Sequence, residues 1–546
     1  MTTQWRPMHA EPAAVNPTVP LVVQVGFAGS RQLFDSAGLG PAEVAALEAD
    51  LGAQLIERLG RLPVLLGLSE KHFLCGLSQV AIGGDTLFSQ ACVALGWWQR
   101  VLLPQALDAY LGAVDAQGAP DFTALQAAAA RALLALPQVI EQRVASTAQG
   151  RHEQFEDVNL AIVADSDVVV CLLRAAVPGR AGGTRALIEH AVRVGKPVLQ
   201  IDVAVQDGQL VLSPLLPLAQ WPNGTAFQPP GLPAELRELA PLATPAGALP
   251  PPAAYAEAVR RCASQLTRRH SGLFKRAAVA IIVLHIAATV LALLAGKLQA
   301  PWVIAVLALE VVLLGVGLRT HYVLHRSSAG RVWAVTRLLA ETMRSIESAA
   351  STGAGLDYPQ ALPFPAAFSS LLRTVAALQA AQRLDRPGND WQAQRTQYLS
   401  QRLTGAQGQL RYFEGAAREA GSRLRLAHRC FWLFSSAALL ATAAKLLALL
   451  GAMPDVMAAM VGQWSGVLAV TLPVAALGFL SWAAASDLEA RAKTYADMHR
   501  FLAAQAARLA SAGAQREFER LVRETELRIL DENLGWFSRR LFSGVS

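Results

Sequence analysis

Three short glycine-bearing segments hold the residues whose types and spacing suit chemistry. The first is Gly26-Phe27-Ala28-Gly29-Ser30-Arg31. Gly29 permits close backbone approach, Ser30 offers a hydroxyl, and Arg31 offers a planar cation that grips phosphate through two parallel hydrogen bonds. The second is Gly83-Gly84-Asp85-Thr86, directly before a helical pattern. Free amides and the dipole at a helix start favour an anion there. Asp85 is suited to cap the helix or to accept ribose hydroxyls. The third is Gly182-Gly183-Thr184, again before a helical pattern, with Glu189 a little further on. Taken singly, each is a tight strand-to-helix turn with a capping residue. Taken together at one edge of one sheet, they predict a phosphate or nucleotide site.

Other chemistries find little footing. Cys75, Cys92, Cys171, Cys262 and Cys430 are scattered, with no CxxC pair and no Cys/His ligand spacing, so no metal site or other cofactor is expected. No Ser/His/Asp arrangement and no evident nucleophile stands out.

For the three turns to converge, they must lie at the carboxyl ends of strands in one parallel sheet. The chain supplies that alternation between residues 19 and 203. Residues 19–27 (VPLVVQVGF), 78–82, 100–104, 168–173 and 197–203 read as strands, and 42–59, 85–95 and 185–194 as helices. Continuous apolar runs of this kind predict a parallel sheet covered on both faces.

The second half of the chain is of another kind. Hydrophobic residues make up 53% of the 546 and charged residues 16%, against about 25% charged in an ordinary soluble protein. Four apolar runs account for much of the deficit: 277–296, 302–318, 430–450 and 467–485. Each is long enough for a helix to cross hydrocarbon, where backbone polar groups must be paired internally. Residues 297–301 join the first two runs, and 451–466 the last two. Arg268, Arg269, Lys275 and Arg276 precede the first run, Arg319 follows the second, Arg423, Arg425 and Arg429 precede the third, and Arg491 and Lys493 follow the fourth. The two connectors hold one lysine, Lys297. This asymmetry predicts a multi-pass protein of the bacterial inner membrane with both termini cytoplasmic. The net charge of +7 is read as affinity for anionic lipid rather than nucleic acid.

Two ionisable residues fall within the runs. Glu310 is read as lining a polar path or pairing with Lys445. The plainer alternatives are a protonated Glu310 at a helix interface and a Lys445 that reaches toward the headgroups. The remaining segments complete the expected organisation. Residues 1–18 are read as a disordered N-terminus, 19–203 as the sheet domain and 204–254 as a Pro/Gly-rich linker. Residues 255–350 form a first hairpin with flanking helices, 351–390 a loop and connecting helix, and 391–546 a second hairpin with cytoplasmic helices.

Two resemblances sharpen these expectations. GFAGSR, GGDTLFSQACVALG leading to RVLLP, and ADSDVVVCLL with GGTRALIEHAVRVGKPV resemble the SLOG superfamily over residues 20–203. That Rossmann-like group includes lysine-decarboxylase-like cytokinin-activating enzymes and bacterial nucleotide sensors. The resemblance implies that Gly29, Ser30, Gly83, Gly84, Asp85, Gly183 and Thr184 contact a nucleotide or nucleotide-derived ligand, with Glu189 near the glutamate that follows the family's glycine-threonine motif. The fuller PGGxGT form of the hydrolytic members is replaced by PGRAGGT at 178–184, which favours a sensor over an enzyme. WQAQRTQYLSQRLTGAQGQLRYFEGAAREAG, before the second hairpin, and the terminal ELRILDENLGWF are similar to SLATT two-span effectors. Residues 274–346 look like a partial earlier copy of 427–509. SLATT proteins perturb membranes or form pores in bacterial conflict and anti-phage defence. The combination implies a nucleotide-sensing membrane effector that acts as a homo-oligomer. The alternative is a membrane-tethered nucleotide phosphoribohydrolase, in which Arg31 or Arg174 would hold phosphate and Glu189 would stabilise an oxocarbenium-like centre.

Overall fold

The computed structural model describes residues 18–35, 38–114, 118–174, 182–207, 209–217, 227–232, 234–236, 239, 250–299, 302–326, 329–356, 358–365, 368–383, 390–452 and 454–542. The expected disorder of the N-terminus, parts of the 204–254 linker and residues 178–181 of the third glycine segment therefore lie outside the described residues. The chain divides into two units, Met1–Tyr255 with Pro363–Asn389, and Ala256–Leu362 with Asp390–Ser546.

In chain order the first unit contains β1 (Leu21–Gly29), α1 (Pro41–Gly60), α2 (Leu62–Leu65), β2 (His72–Ser78), α3 (Gly84–Ala94), β3 (Trp98–Leu103), α4 (Leu107–Leu111), α5 (Ala124–Leu134), β4 (Val139–Val144), α6 (Arg151–Asp165), β5 (Val168–Arg174), α7 (Thr184–Arg193), β6 (Val198–Gln206), β7 (Gln209–Leu212) and β8 (Leu216–Pro217). The strands form one sheet in the order β4-β3-β2-β1-β5-β6-β7, with β8 also on β6. The pairs from β4 through β6 are parallel, and β7 and β8 run antiparallel to β6. Strand order reverses between β1 and β5. In doubly wound sheets, the crevice at such a reversal is where ligands bind.

Both faces of the sheet are covered, which is why β1 is buried almost throughout. On one face Leu51, Leu55 and Leu59 of α1 and Phe88 of α3 pack on Val25, Phe27 and Val170. The Phe27 and Phe88 rings stack with centroids 4.2 Å apart. On the other, Val158 and Ile162 of α6 and Leu187 and Ala191 of α7 pack on Ala28, Leu77 and Cys171.

The second unit begins within α8 (Pro252–Ala295) and continues with α9 (Trp302–Arg326) and α10 (Ala329–Ala350). The chain then contributes α11 (Ser369–Arg383) to the sheet unit before the second unit resumes. α11 completes the face of the sheet that carries α6 and α7. Its Ala377 joins Val22, Cys75 and Ile140 in a buried cluster, with Ala380 and Ala381 against it. β1 pairs with β5 only from Val25 onward, so the Val22 and Gln24 amides need other acceptors. Thr374 Oγ1 accepts from Val22 at 2.8 Å and Asp167 Oδ2 accepts from Gln24 at 2.9 Å. Arg373 of α11 pairs with Asp167 at 2.5 Å. The segment read as a loop and connecting helix thus supplies part of this unit's core.

The strand boundaries differ from the sequence reading in instructive ways. The strand expected at 78–82 lies at His72–Ser78, and 79–83 form the turn that follows it. β4 and α5 were not expected. Their segments, VIEQRV and ALQAAAARALL, are polar-edged or alanine-rich and carry little periodic signal. β1 runs on to Gly29, so most of the first glycine segment is strand, because β5 pairs with it as far as Gly29↔Leu172.

The second unit is helical among its described residues. Besides α8 to α10 it contains α12 (Trp391–Tyr398), a π-helical turn at Leu399–Thr404, α13 (Gln409–Leu449), α14 (Asp455–Ala485), α15 (Leu488–Ser511) and α16 (Gln515–Phe542). Four helical stretches are long and apolar enough to cross a membrane, and only 6% to 17% of their most apolar windows is buried. Such outward apolar surface is what lipid would cover. The expected long connector 451–466 is shorter, because Pro454 caps α14 and Asp455 opens it. Between α12 and α13 the helical course is interrupted by the π turn. There Arg402 and Glu526, both almost fully buried, form a paired contact at 2.8 and 2.7 Å, and Tyr398 donates to Glu526 at 2.6 Å. No ion pair joins Glu310 and Lys445 among the described residues; Lys445 Nζ lies 3.6 Å from where a Cβ on Gly466 would stand.

Candidate functional site

At the reversal between β1 and β5 lies a cavity of about 370 Å³. The end of β1 supplies Ala28, Gly29, Ser30, Arg31 and Gln32, and the end of β5 supplies Leu173 and Arg174. The turn after β2 gives Gln79 and Ala81, and the first turn of α3 gives Asp85. α6 gives Arg151, His152, Phe155 and Asn159, and the start of α7 gives Gly182, Gly183, Thr184 and Arg185. The lining thus holds four arginines, a histidine and one carboxylate, Asp85, and that balance suits an anionic ligand.

The floor is built by close backbone packing. A Cβ on Gly29 would stand 2.4 Å from Gly84 Cα, and one on Gly84 would stand 2.6 Å from Gly29 Cα. Only glycine at both positions lets the end of β1 meet the start of α3. Gly83 has φ +84°, and a Cβ there would be 2.4 Å from the Arg31 carbonyl oxygen. The Gly84 amide donates to Ser30 O at 3.1 Å, and the Thr86 amide to Ala81 O at 3.1 Å. These amides at the start of α3 are therefore satisfied by the protein's own carbonyls.

Asp85 is buried against this floor and its Oδ1 accepts from the Gly29 amide at 3.1 Å. Burial pushes its carboxyl up to about 7, although the Gly29 amide and the Arg31 guanidinium both favour the ionised form. Ser30 Oγ accepts from the Arg174 amide at 3.2 Å, and Thr184 Oγ1 donates to Gly29 O at 2.9 Å. Those two bonds tie the ends of β1 and β5 to the start of α7. Gln79 Nε2 donates to Asn159 Oδ1 at 3.1 Å, and Asn159 Nδ2 donates to Gly182 O at 2.9 Å. A polar chain in the cavity wall therefore links the end of β2, α6 and the start of α7.

The structure brings Gly29, Ser30, Arg31, Asp85, Gly182, Gly183 and Thr184 to the cavity wall. Gly83, Gly84 and Thr86 lie behind it, in the packing just described, and outside the lining. Glu189 is exposed on α7 and is not among the lining residues. The contribution of α6 went unseen from sequence. Its segment RHEQFEDVNLAIVAD carries no glycine signal, and Arg151, His152, Phe155 and Asn159 reach the site only through packing across the sheet. Among the described residues no group of three or more His, Cys, Asp or Glu is placed to hold a metal ion.

No protein-family model and no curated protein matches the chain. Among solved structures, the chain is similar to the X-ray structure of DNA processing protein A (DprA) from Streptococcus pneumoniae, at 18% identity, covering 34% of this chain and 53% of that one, with a TM-score of 0.21. That match spans about half of the other protein and is too slight to bear on function. What the fold and the helix lengths establish is a mostly parallel α/β domain followed by an all-helical region with four helices long and apolar enough to span a membrane.

Proposed function

We propose that this chain is a nucleotide-responsive membrane effector, with the sheet unit as sensor and the apolar helices as output. The observation that carries the reading is the cavity at the β1/β5 reversal, where four arginines converge on strand ends and a helix start. Its size suits a small ligand and its charge an anionic one. The SLOG-like segments make a nucleotide or nucleotide derivative the reading of choice, and the SLATT-like segments make membrane perturbation the output. The expected place is the bacterial inner membrane, with termini in the cytoplasm and several chains assembled together. A role in conflict or anti-phage defence fits that design. Nucleic acid has no place in this reading.

The test uses the full chain in lipid nanodiscs and a panel of mononucleotides, cyclic nucleotides and ADP-ribose. A cognate ligand at about 100 times its dissociation constant should stabilise the fold by about 2.7 kcal/mol. Arg174→Gln should weaken it by about tenfold. If no member of the panel raises the unfolding temperature or is retained in equilibrium dialysis, the sensor reading fails. The hydrolase alternative calls for release of free base that Glu189→Gln abolishes; with Glu189 exposed and away from the lining, we place it second.

A further inference from the structure

Arg31 and Arg151 both line the cavity, one just past the end of β1 and the other in the first turn of α6. Both guanidinium groups are directed at one carboxylate, Asp121. Arg31 Nη1 lies 3.5 Å from Asp121 Oδ1, and Arg151 Nη2 contacts Asp121 Oδ2. The Asp121 side chain is 6% exposed, whereas each arginine remains 40% exposed. The arrangement around Asp121 is anchored. Its amide donates to Ala113 O at 2.9 Å, and its neighbour Phe122 packs edge-on against Tyr110 at 5.2 Å. Arg151 is steadied in turn by donating to Val114 O at 2.7 Å and by lying over Phe155.

Two guanidinium groups aimed at the two oxygens of one carboxylate are the donor set that a phosphate group accepts from, and phosphate brings more charge and more acceptor oxygens. We propose that Arg31 and Arg151 form a phosphate subsite of the cavity, and that Asp121 fills it as an internal carboxylate which a ligand phosphate displaces. The proposal rests on the reading of the cavity as an anion site and deepens it. It assigns the ligand class as one that presents a phosphate to these two arginines, as a nucleoside diphosphate would. It makes Asp121 a residue that raises the threshold for binding.

The experiment is calorimetric titration of the full chain in nanodiscs with inorganic pyrophosphate and ADP, with adenosine as control. Wild type is compared with Asp121→Asn, Asp121→Ser, and Asp121→Asn combined with Arg151→Gln. Removing the carboxylate should tighten pyrophosphate and ADP by about tenfold or more, leave adenosine unmoved, and lose the gain when Arg151 is also replaced. Unchanged or weaker pyrophosphate binding in both single variants overturns the proposal. So does a gain that survives Arg151→Gln, or one that extends to adenosine. Loss of cooperative unfolding in both single variants also overturns it, because a displaceable carboxylate cannot be one the fold requires. The same titrations distinguish the nucleotide from the subsite. A pyrophosphate gain without binding of any nucleotide removes the nucleotide and keeps the subsite. Nucleotide binding with no pyrophosphate gain does the reverse.

Discussion

At the scale of single residues, Asp85 is a carboxyl group held away from water at the cavity, with the Arg31 guanidinium favouring its ionised form. Its ordinary value is 3.8, and in the folded chain it is pushed up to about 7. Between those values the native state binds a proton that the unfolded chain has released. The stability this group contributes is therefore fully present below pH 4, declines as pH rises, and is gone above pH 7. The unfolding temperature should fall between about pH 4 and pH 7, and Asp85→Asn, which cannot ionise, should flatten that slope. The difference is on the order of a few kcal/mol, and scanning fluorimetry across buffers measures it. A slope that is unchanged in Asp85→Asn would assign the pH dependence elsewhere. Glycines at strand-to-helix turns were legible in the sequence because few other residues can stand there. What they do was less legible. Gly29 and Gly84 carry a backbone contact, while cation-bearing Arg151 and Arg185 stand in helices whose linear pattern says nothing about a cavity.

At the scale of elements, α11 changes what counts as the sheet domain. It lies between the two apolar hairpins in sequence, yet it covers Val22, Cys75 and Ile140 and satisfies the Val22 amide through Thr374. A chain cut after residue 251 would leave that cluster open and Asp167 without Arg373. Such a fragment should be digested rapidly in limited proteolysis, and fusing residues 363–389 to it through a flexible linker should restore resistance by about tenfold or more. Equal resistance of the two would show that α11 is dispensable. Its helical content was partly legible, as a connecting helix. Its partner was not, since SSLLRTVAALQAAQR offers a short apolar face that fits many surfaces. The strand misplaced to 78–82 has a similar cause. HFLCGLSQVAI is apolar across both strand and turn, and only the pairing of Leu21↔His72 through Gly26↔Leu77 sets where the strand stops.

At the scale of the molecule, the four apolar stretches were plain from composition, because about 20 apolar residues in a row have few other uses. Orientation is the open quantity, and basic residues make a definite claim about it. Single cysteines introduced at Ala452, between α13 and α14, and at Ser511, at the end of α15, should be labelled from opposite sides of intact spheroplasts. Ala452→Cys should react with an impermeant maleimide at once, and Ser511→Cys only after lysis. The opposite result would invert the topology and place the cavity outside the cell, where a nucleotide sensor makes no sense. The background thiols Cys75, Cys92 and Cys171 are buried.

The placement of α11 also sets an order of events during synthesis. The sheet's other strands and helices leave the ribosome first, but the helix that closes their open face follows only after α8 to α10 have been made. At about 5–20 residues per second, the nascent domain waits for seconds with Val22, Cys75 and Ile140 uncovered, while two apolar helices are already available to the insertion machinery. Closure of the sheet unit therefore comes after synthesis of the first hairpin, and a chaperone that guards the uncovered face has that interval in which to act.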